Sequence, residues 1–474
     1  MRAPDIRSVE KEKAMSESIT AAAVRHEINV GSLLDRAKVG RVSLTVIILC
    51  FCVMLMDGFD YGIISNAAPL IMKEWQISSA MFGPVFSIAT FGWMIGAVLF
   101  GAISDRFGRK ITLIAGAIIF TTLTLFIYFS HTLAHLLIIR FFTGIGVGGA
   151  VPVAMVLTSE YSPGKARAKF ITIMFSGFVV GMTVGSYIAA AVMPIYGWRS
   201  LFLIGFLVPL PAIALLMAVL PESARWLALN GKTQKDRQAL IKIITKVDPS
   251  LKVDDNTRLV AAAAQKQEKQ SAKELFSGRL AWCTPLLWLY YLTSSLALFF
   301  IVNWSPQLLV LKGLTAAHAS SMVGTSGLFG IAGTILIGLW LDKVGFRWGF
   351  FWPLLSVGFT ALIGGASGGL LLIWLSVNSF FMNGGHSILT AIVPSIYPYK
   401  VRAQGTGVAN AVARIGSIIG PIIGGLMIST GMSMTMLFSL AAIPFIFCAA
   451  FCFVLGSQYD NHFKPLYAGQ AENA

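Results

Sequence analysis

Two acidic residues interrupt an otherwise apolar stretch near the beginning of the chain, LMDGFDYGII (Leu55–Ile64). Asp57 and Asp60 are three residues apart, so in a helix they share a face. A charged side chain at the centre of a bilayer costs roughly 2.5–3.5 kcal/mol on insertion scales, and such residues are usually functional. Two adjacent carboxylates in a low dielectric cannot both ionise cheaply. The pair therefore indicates a proton-binding site or, alternatively, a structural pair of neutral, hydrogen-bonded acids.

Arg414 is the basic counterpart of these acids, in a later apolar run. It follows Arg402 by about 12 residues, which places it roughly 18 Å from the membrane edge at the rise of an α-helix. Its planar guanidinium could form a bidentate pair of hydrogen bonds with the carboxylate of a bound ligand. The alternative is an ion pair with Asp57 or Asp60, and both roles are compatible if the ligand replaces the aspartate.

Polar and aromatic residues in two other apolar runs complete the candidate ligand-binding set. His386 and Asn383 could line a cavity, although a buried histidine is more often a simple hydrogen-bonding residue. Trp304 stands beside Asn303 and Gln307, and an aromatic wall next to amide groups suits an aromatic acid. The alternative for Trp304 is a place in the aromatic belt at the membrane surface.

The composition indicates that these residues lie in a membrane protein. Of 474 residues, 56% are hydrophobic and 12% are charged, and the mean hydropathy is +0.75. A soluble domain has about 25% charged residues, so we predict a membrane protein with many spans. The net charge of +15 does not favour nucleic-acid binding, because the basic residues lie between apolar runs, as they do in cytoplasmic loops.

The sequence predicts no cofactor, no metal site and no enzymatic activity. The five cysteines lie in or beside apolar runs and form no ligand pattern with histidine. HTLAH (His131–His135) has a metal-like spacing but lies in a short loop without an acidic neighbour, which favours a solvated turn. GIGVGG (Gly144–Gly149) is similar to a dinucleotide-binding loop, but its position in an apolar run favours close helix packing.

Twelve apolar runs are long enough to span a bilayer, which takes about 20 residues. Their approximate limits are 42–65, 80–101, 111–130, 134–157, 169–191, 199–220, 283–304, 318–341, 350–368, 370–393, 406–428 and 434–456. Lys and Arg are concentrated in the loops after the even-numbered runs, so both termini are predicted to be cytoplasmic. The tail 1–41 has no signal-peptide pattern and is expected to hold a short helix near 28–38.

The twelve runs fall into two groups of six, at 42–220 and 283–456. The polar linker 221–282 joins them and contains two stretches that can form amphipathic helices, at 229–247 and 261–276. A short tail, 457–474, follows the last run. We predict an all-α membrane protein with twelve transmembrane helices in two six-helix bundles.

The two groups are also related by an internal repeat. GAISDRFGRK (Gly101–Lys110) corresponds to GLWLDKVGFR (Gly338–Arg347), and EYSPGKAR (Glu160–Arg167) corresponds to IYPYKVR (Ile396–Arg402). Each pair is separated by about half of the chain. Repeats of this kind predict pseudo-symmetric bundles and are typical of membrane transporters.

Several of these motifs resemble those of the major facilitator superfamily, the first being the GxxxDRxGRK pattern of the loop at 101–110. RFFTGIGVGGAVP (Arg140–Pro152), TSEYSPGKAR (Thr158–Arg167) and PESARWL (Pro221–Leu227) add to the resemblance. DGFD in the first run and RAQGTGVANAVARIGSIIGP (Arg402–Pro421) in the eleventh are similar to the bacterial aromatic acid/H⁺ symporter family. The resemblance covers residues 42–456 and implies the fold with two bundles of six helices.

The resemblance also implies roles for charged residues. It implies that the acids of the first helix are required for uptake and that Arg140 and Glu160 take part in proton coupling. It further implies a charge-relay gate in the cytoplasmic loops, made by Asp105, Arg106, Arg109, Asp342 and Arg402. The second copy has Lys343 and Phe346 in place of Arg106 and Arg109, so its gate is predicted to be looser.

The combined prediction is a monomeric transporter in the inner membrane of a bacterium. It would take up a small organic anion, in particular an aromatic carboxylate used in aromatic catabolism, together with protons by alternating access. A sugar or another organic acid is an alternative substrate, since PESARWL also resembles sugar porters. A membrane sensor that binds an aromatic acid without transport is the alternative of a different class, although both tails are short and carry no signalling domain.

Overall fold

The computed structural model describes residues 27–249, 251, 257–260 and 272–465. Most of the second predicted amphipathic stretch, 261–271, lies outside these residues. The first one forms the amphipathic helix Gln234–Val247, which begins with a capping box between Thr233 and Asp236. The hydrogen bonds from Thr233 lower the pKa of the Asp236 carboxyl group.

The first half of the described chain contains ten α-helices. They are α1 (Val30–Arg36), α2 (Arg41–Trp75), α3 (Ser79–Phe107), α4 (Arg109–Tyr128), α5 (Leu133–Glu160), α6 (Arg167–Tyr196), α7 (Arg199–Leu207), α8 (Pro209–Val219), α9 (Ala224–Asn230) and α10 (Gln234–Val247). Pro209 stands at the first position of α8, so α7 and α8 form one apolar segment with a break at the proline. The predicted short helix near 28–38 is confirmed as α1.

The second half contains six long helices of similar arrangement. They are α11 (Leu280–Leu311), α12 (Ala316–Val344), α13 (Phe351–Gly365), α14 (Gly368–Ile396), α15 (Tyr399–Ser429) and α16 (Met434–Gln458). The predicted break between the ninth and tenth runs is confirmed, because α13 ends at Gly365 and α14 begins at Gly368, whose positive φ of 56° favours glycine.

Eleven segments of the described chain are long and apolar enough to cross a membrane. Twelve were predicted, and the remaining one corresponds to α14. With 29 residues this helix has ample length, but it carries Asn378, Asn383 and His386. The all-α fold with two groups of six long apolar segments is therefore confirmed, with one segment that is more polar than the others.

Glycines allow helices of the first half to pack at very short distances. A Cβ on Gly92 or Gly96 of α3 would collide with backbone atoms of α5, and a Cβ on Gly144 or Gly148 of α5 would collide with backbone atoms of α3. This reciprocal packing agrees with the prediction that GIGVGG serves helix contact rather than nucleotide binding. It makes α3 and α5 one closely packed unit.

The apolar core shows that the two halves are joined at one end only. We call the end where both described chain ends lie the termini face, and the other end the opposite face. Near the opposite face one cluster unites both halves, including Phe86 of α3, Trp304 of α11 and Phe438 of α16. Toward the termini face the core divides into one cluster per half. The bundles therefore diverge toward the termini face.

Hydrogen bonds between the halves also lie toward the opposite face. Ser65 of α2 donates to the carbonyl oxygens of Val302 and Asn303 on α11, at 3.1 and 3.0 Å. Ser87 of α3 donates to the carbonyl oxygen of Ile418 on α15 at 2.6 Å. These hydrogen bonds between uncharged groups hold the two halves together at the opposite face.

Residues before and after the first bundle meet at the termini face. Strand β1 (Glu27–Asn29) pairs in parallel with β2 (Arg258–Val260). In α1, Asp35 accepts hydrogen bonds from Arg167 at 2.5 Å and Arg225 at 2.9 Å. The segment before α2 is therefore attached to the linker and to the first half.

Candidate functional site: charged residues between the two halves

Asp60 forms a buried ion pair inside the first half. Its Oδ2 atom lies 2.7 Å from Nη1 of Arg140 on α5, and its Oδ1 accepts a hydrogen bond of 2.7 Å from Thr124 on α4. Arg140 is 1% exposed and Asp60 is 6% exposed. Both carboxylate oxygens are thus occupied by groups of the same bundle. The predicted alternative in which Arg414 pairs with Asp60 is wrong, because the helix order brings α5 to this face of α2.

Asp57 lies one turn earlier on the same helix and is half-buried. In the described structure its carboxylate forms no ion pair and no side-chain hydrogen bond. The charges of Arg414 and Arg140 both act on it, as does that of Asp60. The neighbouring Gly58 is in direct contact with the backbone of Phe178 on α6, where a Cβ could not fit. This contact fixes the rotation of α2 and thereby the direction of Asp57.

Arg414, in the second half, stacks on an aromatic residue of the first half. Its Cζ atom is 3.8 Å from the ring centroid of Trp93 on α3. Arg414 forms no ion pair with Asp57 or with any other acid of the described chain, which contradicts the predicted alternative. The negative charge of Asp57 nevertheless acts on it. A half-buried guanidinium with free N–H groups therefore lies between the halves.

Two predicted residues of α14 lie on the same side of the site as Arg414. His386 is half-buried, its Nδ1 atom is 2.8 Å from the hydroxyl of Ser294, and the charge of Arg414 acts on it. Asn383 donates to the carbonyl oxygen of Ser379 at 2.9 Å and lies against Gly330 of α12. The second half thus contributes an arginine, a histidine and an amide.

The three predicted residues of α11 lie toward the closed opposite face. Trp304 is fully buried, and its indole N–H donates to the carbonyl oxygen of Pro421 at 2.9 Å. A place in the surface aromatic belt is therefore wrong for this residue. Asn303 is also fully buried and donates to the hydroxyl of Tyr61 at 2.7 Å, across the boundary between the halves. Gln307 is half-buried one turn further along α11.

The predicted gate residues of the first half form a network at the termini face. Nη1 of Arg109 lies 2.8 Å from Asp105, and the backbone N–H of Arg109 donates to Glu222 at 2.8 Å. Glu160 accepts a hydrogen bond from the hydroxyl of Ser223, and Arg106 lies over the ring of Phe107. Glu222 thus caps the N-terminus of α4 and connects it to the segment after α8.

The corresponding loop of the second half makes simpler contacts. The backbone N–H of Arg347 donates to Asp460 at 3.1 Å, just after α16, and Gly345 has a φ of 85° beside the same carboxylate. Arg402 donates to the carbonyl oxygen of Tyr397 at 3.2 Å. Asp342 lies near the end of α12, and its side chain is outside the described part of the structure.

Several contributing residues were not found from the sequence. Tyr61, Thr124 and Trp93 are ordinary polar or aromatic residues of apolar runs, and only the packing of helices reveals their partners. Glu222 could have been found as the single acid directly after the sixth run, and Asp460 follows the twelfth run within a few residues. The similar placement of these two acids is therefore visible in the sequence.

The chain belongs to the Major Facilitator Superfamily. The family model matches residues 50–345 and 312–469. The fold agrees: a bacterial homologue of the human lysosomal transporter Spinster, in an inward-facing and unoccupied conformation, has a TM-score of 0.64 at 15% identity over 90% of this chain and 99% of its own. A D-xylose–proton symporter has a TM-score of 0.63 at 17% identity over 88% and 97%.

Relatives of the chain within this superfamily include transporters of aromatic acids. A gallate transporter of Pseudomonas putida is 33% identical over 88% of this chain and 92% of its own length. A 4-hydroxybenzoate transporter of Acinetobacter baylyi is 32% identical over 91% and 95%. A benzoate transport protein of the same organism is 30% identical over 93% and 95%. The predicted membership of the aromatic acid/H⁺ symporter family is confirmed, and the protein is a multi-pass membrane transporter.

Proposed function

We propose that the protein takes up a small aromatic carboxylate together with protons by alternating access. In this proposal the substrate is an aromatic acid like those named for its relatives. The protein lies in the inner membrane of a bacterium, with both termini in the cytoplasm, and it acts as a monomer. The concentration of basic residues on the termini face supports this orientation.

One observation carries the proposal. Asp57 and Arg414 come from different halves, have opposite charges, act on each other electrostatically and still form no ion pair in the described structure. An acid and a base held apart at half-buried positions are each available to another partner. A proton suits the acid, and a carboxylate suits the guanidinium.

The substrate site in this proposal is centred on Arg414. Its guanidinium binds the carboxylate with two parallel N–H bonds, which a planar fork provides. His386 and Asn383 lie on the same half and supply further polar contacts. Tyr61 and Asn303, hydrogen-bonded to each other across the boundary, close the site toward the opposite face.

The proton site in this proposal is Asp57, with Asp60 and Arg140 as supporting groups. Asp60 already has two charged or polar partners, so Asp57 is the carboxyl group free to exchange a proton. Because the two acids are neighbours, protonation of Asp57 removes a repulsion between them. Glu160, hydrogen-bonded to Ser223 at the termini face, links the same half to the loop network.

The gate in this proposal consists of the termini-face loops. When the halves close over the substrate on the cytoplasmic side, Asp105, Arg106 and Arg109 meet residues of the second half such as Arg402 and Asp342. Opening that face requires those contacts to break, while the hydrogen bonds at the opposite face form. Alternating access by rocking of two bundles needs this exchange.

The test is uptake by proteoliposomes of radiolabelled gallate, 4-hydroxybenzoate, benzoate and xylose, with and without an inwardly directed proton gradient. We expect gradient-driven accumulation of at least one aromatic acid, and loss of that accumulation in Asp57→Asn. Asp236→Asn, in the linker, is the matched control and should accumulate the acid like the unaltered protein. Uptake that does not depend on the proton gradient, or uptake of xylose alone, would refute the proposal.

A further inference from the structure

The contact between Arg414 and Trp93 is the closest charge–ring contact in the described structure. The guanidinium carbon is 3.8 Å from the ring centroid, whereas the other arginine–ring contacts range from 4.3 to 5.8 Å. At this distance the group is in van der Waals contact with the ring face, which fits a guanidinium lying flat on the indole. Its N–H groups then point outward in the plane and stay available.

The same contact crosses the boundary between the halves. Trp93 belongs to α3 and Arg414 to α15. The backbone that carries Trp93 cannot shift easily, because Gly92 beside it is in direct contact with the backbone of Phe141 on α5. A ring attached to this closely packed part of the first half thus contacts a charge of the second half.

Asp57 is the acid whose charge acts on Arg414, so it is the competing partner for the guanidinium. Asp57 is on the first half, acts on Arg414 and has no other partner in the described structure. An arginine bound to Asp57 could not bind a substrate carboxylate without first breaking an ion pair. The aromatic face offers a weaker attraction, about 0.5–2 kcal/mol, that leaves the N–H edge free.

We propose that Trp93 is a positioning residue that stacks on Arg414 and keeps its guanidinium oriented for the substrate carboxylate. This inference rests on the proposed function of Arg414. It adds that affinity for the substrate depends on an aromatic face at position 93, supplied by the half of the protein opposite to the arginine.

The experiment compares Trp93→Leu and Trp93→Phe in proteoliposomes, with the aromatic acid that the unaltered protein accumulates. We expect the KM to rise roughly tenfold in the leucine variant, as the loss of a partly buried cation–π contact implies, while the maximal rate changes less than twofold. Phenylalanine keeps a ring face and should restore most of the affinity. Equal KM values for all three proteins, or equal impairment of both variants, would overturn the proposal.

A matched control excludes a general effect of removing an aromatic residue from α3. Phe91 is two residues earlier, 48% exposed, and stacked on Phe141 away from Arg414. Phe91→Leu should leave the KM unchanged. A KM increase in this variant equal to that of Trp93→Leu would show that the effect is not specific to the stacked ring.

A second pair of variants tests whether the ring acts through the arginine. Glutamine removes the charge that the ring attracts, so Trp93→Leu should change the KM little when it is added to Arg414→Gln. Additive effects would contradict the proposal. If the unaltered protein accumulates no aromatic acid, the proposed function itself fails. This outcome is distinct from normal uptake whose KM does not depend on the residue at position 93, which would refute the role of Trp93 alone.

Discussion

The two halves of the protein carry their charges in opposite ways. In the first half, Asp60 is bound on both oxygens by Arg140 and Thr124, all buried. In the second half, Arg414 has an aromatic ring beneath it and no ion-pair partner in the described structure. The paired Asp60 and Arg140 stabilise their own bundle, whereas the unpaired Arg414 is free to bind a ligand. The proposed roles differ accordingly: Arg140 supports the structure of the first half, and Arg414 recognises the substrate.

The largest expected effect is the loss of the buried pair. Arg140→Ala leaves Asp60 as an uncompensated buried charge, and breaking a buried pair in this way costs about 3–5 kcal/mol. We expect a strongly reduced unfolding temperature of the purified protein in detergent. Asp60→Asn combined with Arg140→Leu removes both charges and should recover part of that loss. An Arg140→Ala protein as stable as the unaltered one would remove the contrast between the halves.

The same substitution in the second half should separate binding from stability. Arg414→Ala removes a charge but leaves no acid without its ion-pair partner, so the unfolding temperature should change little. The loss of a charge-assisted hydrogen-bonding group is worth about 1.5–3 kcal/mol, which corresponds to a decrease in affinity of roughly 10- to 150-fold. Binding of the radiolabelled acid to purified protein measures this. Unaltered affinity would show that the carboxylate is held elsewhere.

The smallest expected effect distinguishes the two termini-face loops. Glu222 accepts from the backbone N–H groups of Arg109, Lys110 and Ser223, whereas for Asp460 one such bond is described, from Arg347. Loss of a helix cap costs about 0.5–2 kcal/mol. Glu222→Ala should therefore fall near the upper end of this range and Asp460→Ala near the lower end. Limited proteolysis of the loops in detergent, at several temperatures, provides the comparison, and the reverse order would contradict it.

The sequence predicted the elements of the fold better than their contacts. Apolar runs and the repeat identified the helices because membrane spanning requires length and hydropathy, which are local properties. The partner of Asp60 was not predictable, since the choice between Arg140 and Arg414 depends on which helix packs against α2. Trp304 was assigned to a cavity wall or the surface belt, but it packs at the closed end because α3 and α15 converge there. Trp93 carried no local signal at all.

The pairing of β1 with β2 shows where the linker could be cut to separate the two halves. It attaches the linker to the first half as far as Val260, and the next described segment, Ala272–Phe276, already packs under α11, where Thr284 donates to the carbonyl oxygen of Leu275. A cut between these positions would break no described hydrogen bond. The halves could then be produced as two polypeptides whose association depends on their shared surface alone. Their dissociation constant would measure the affinity of the two halves for each other. This affinity cannot be measured in the intact chain, because the linker keeps the local concentration of the two partners high.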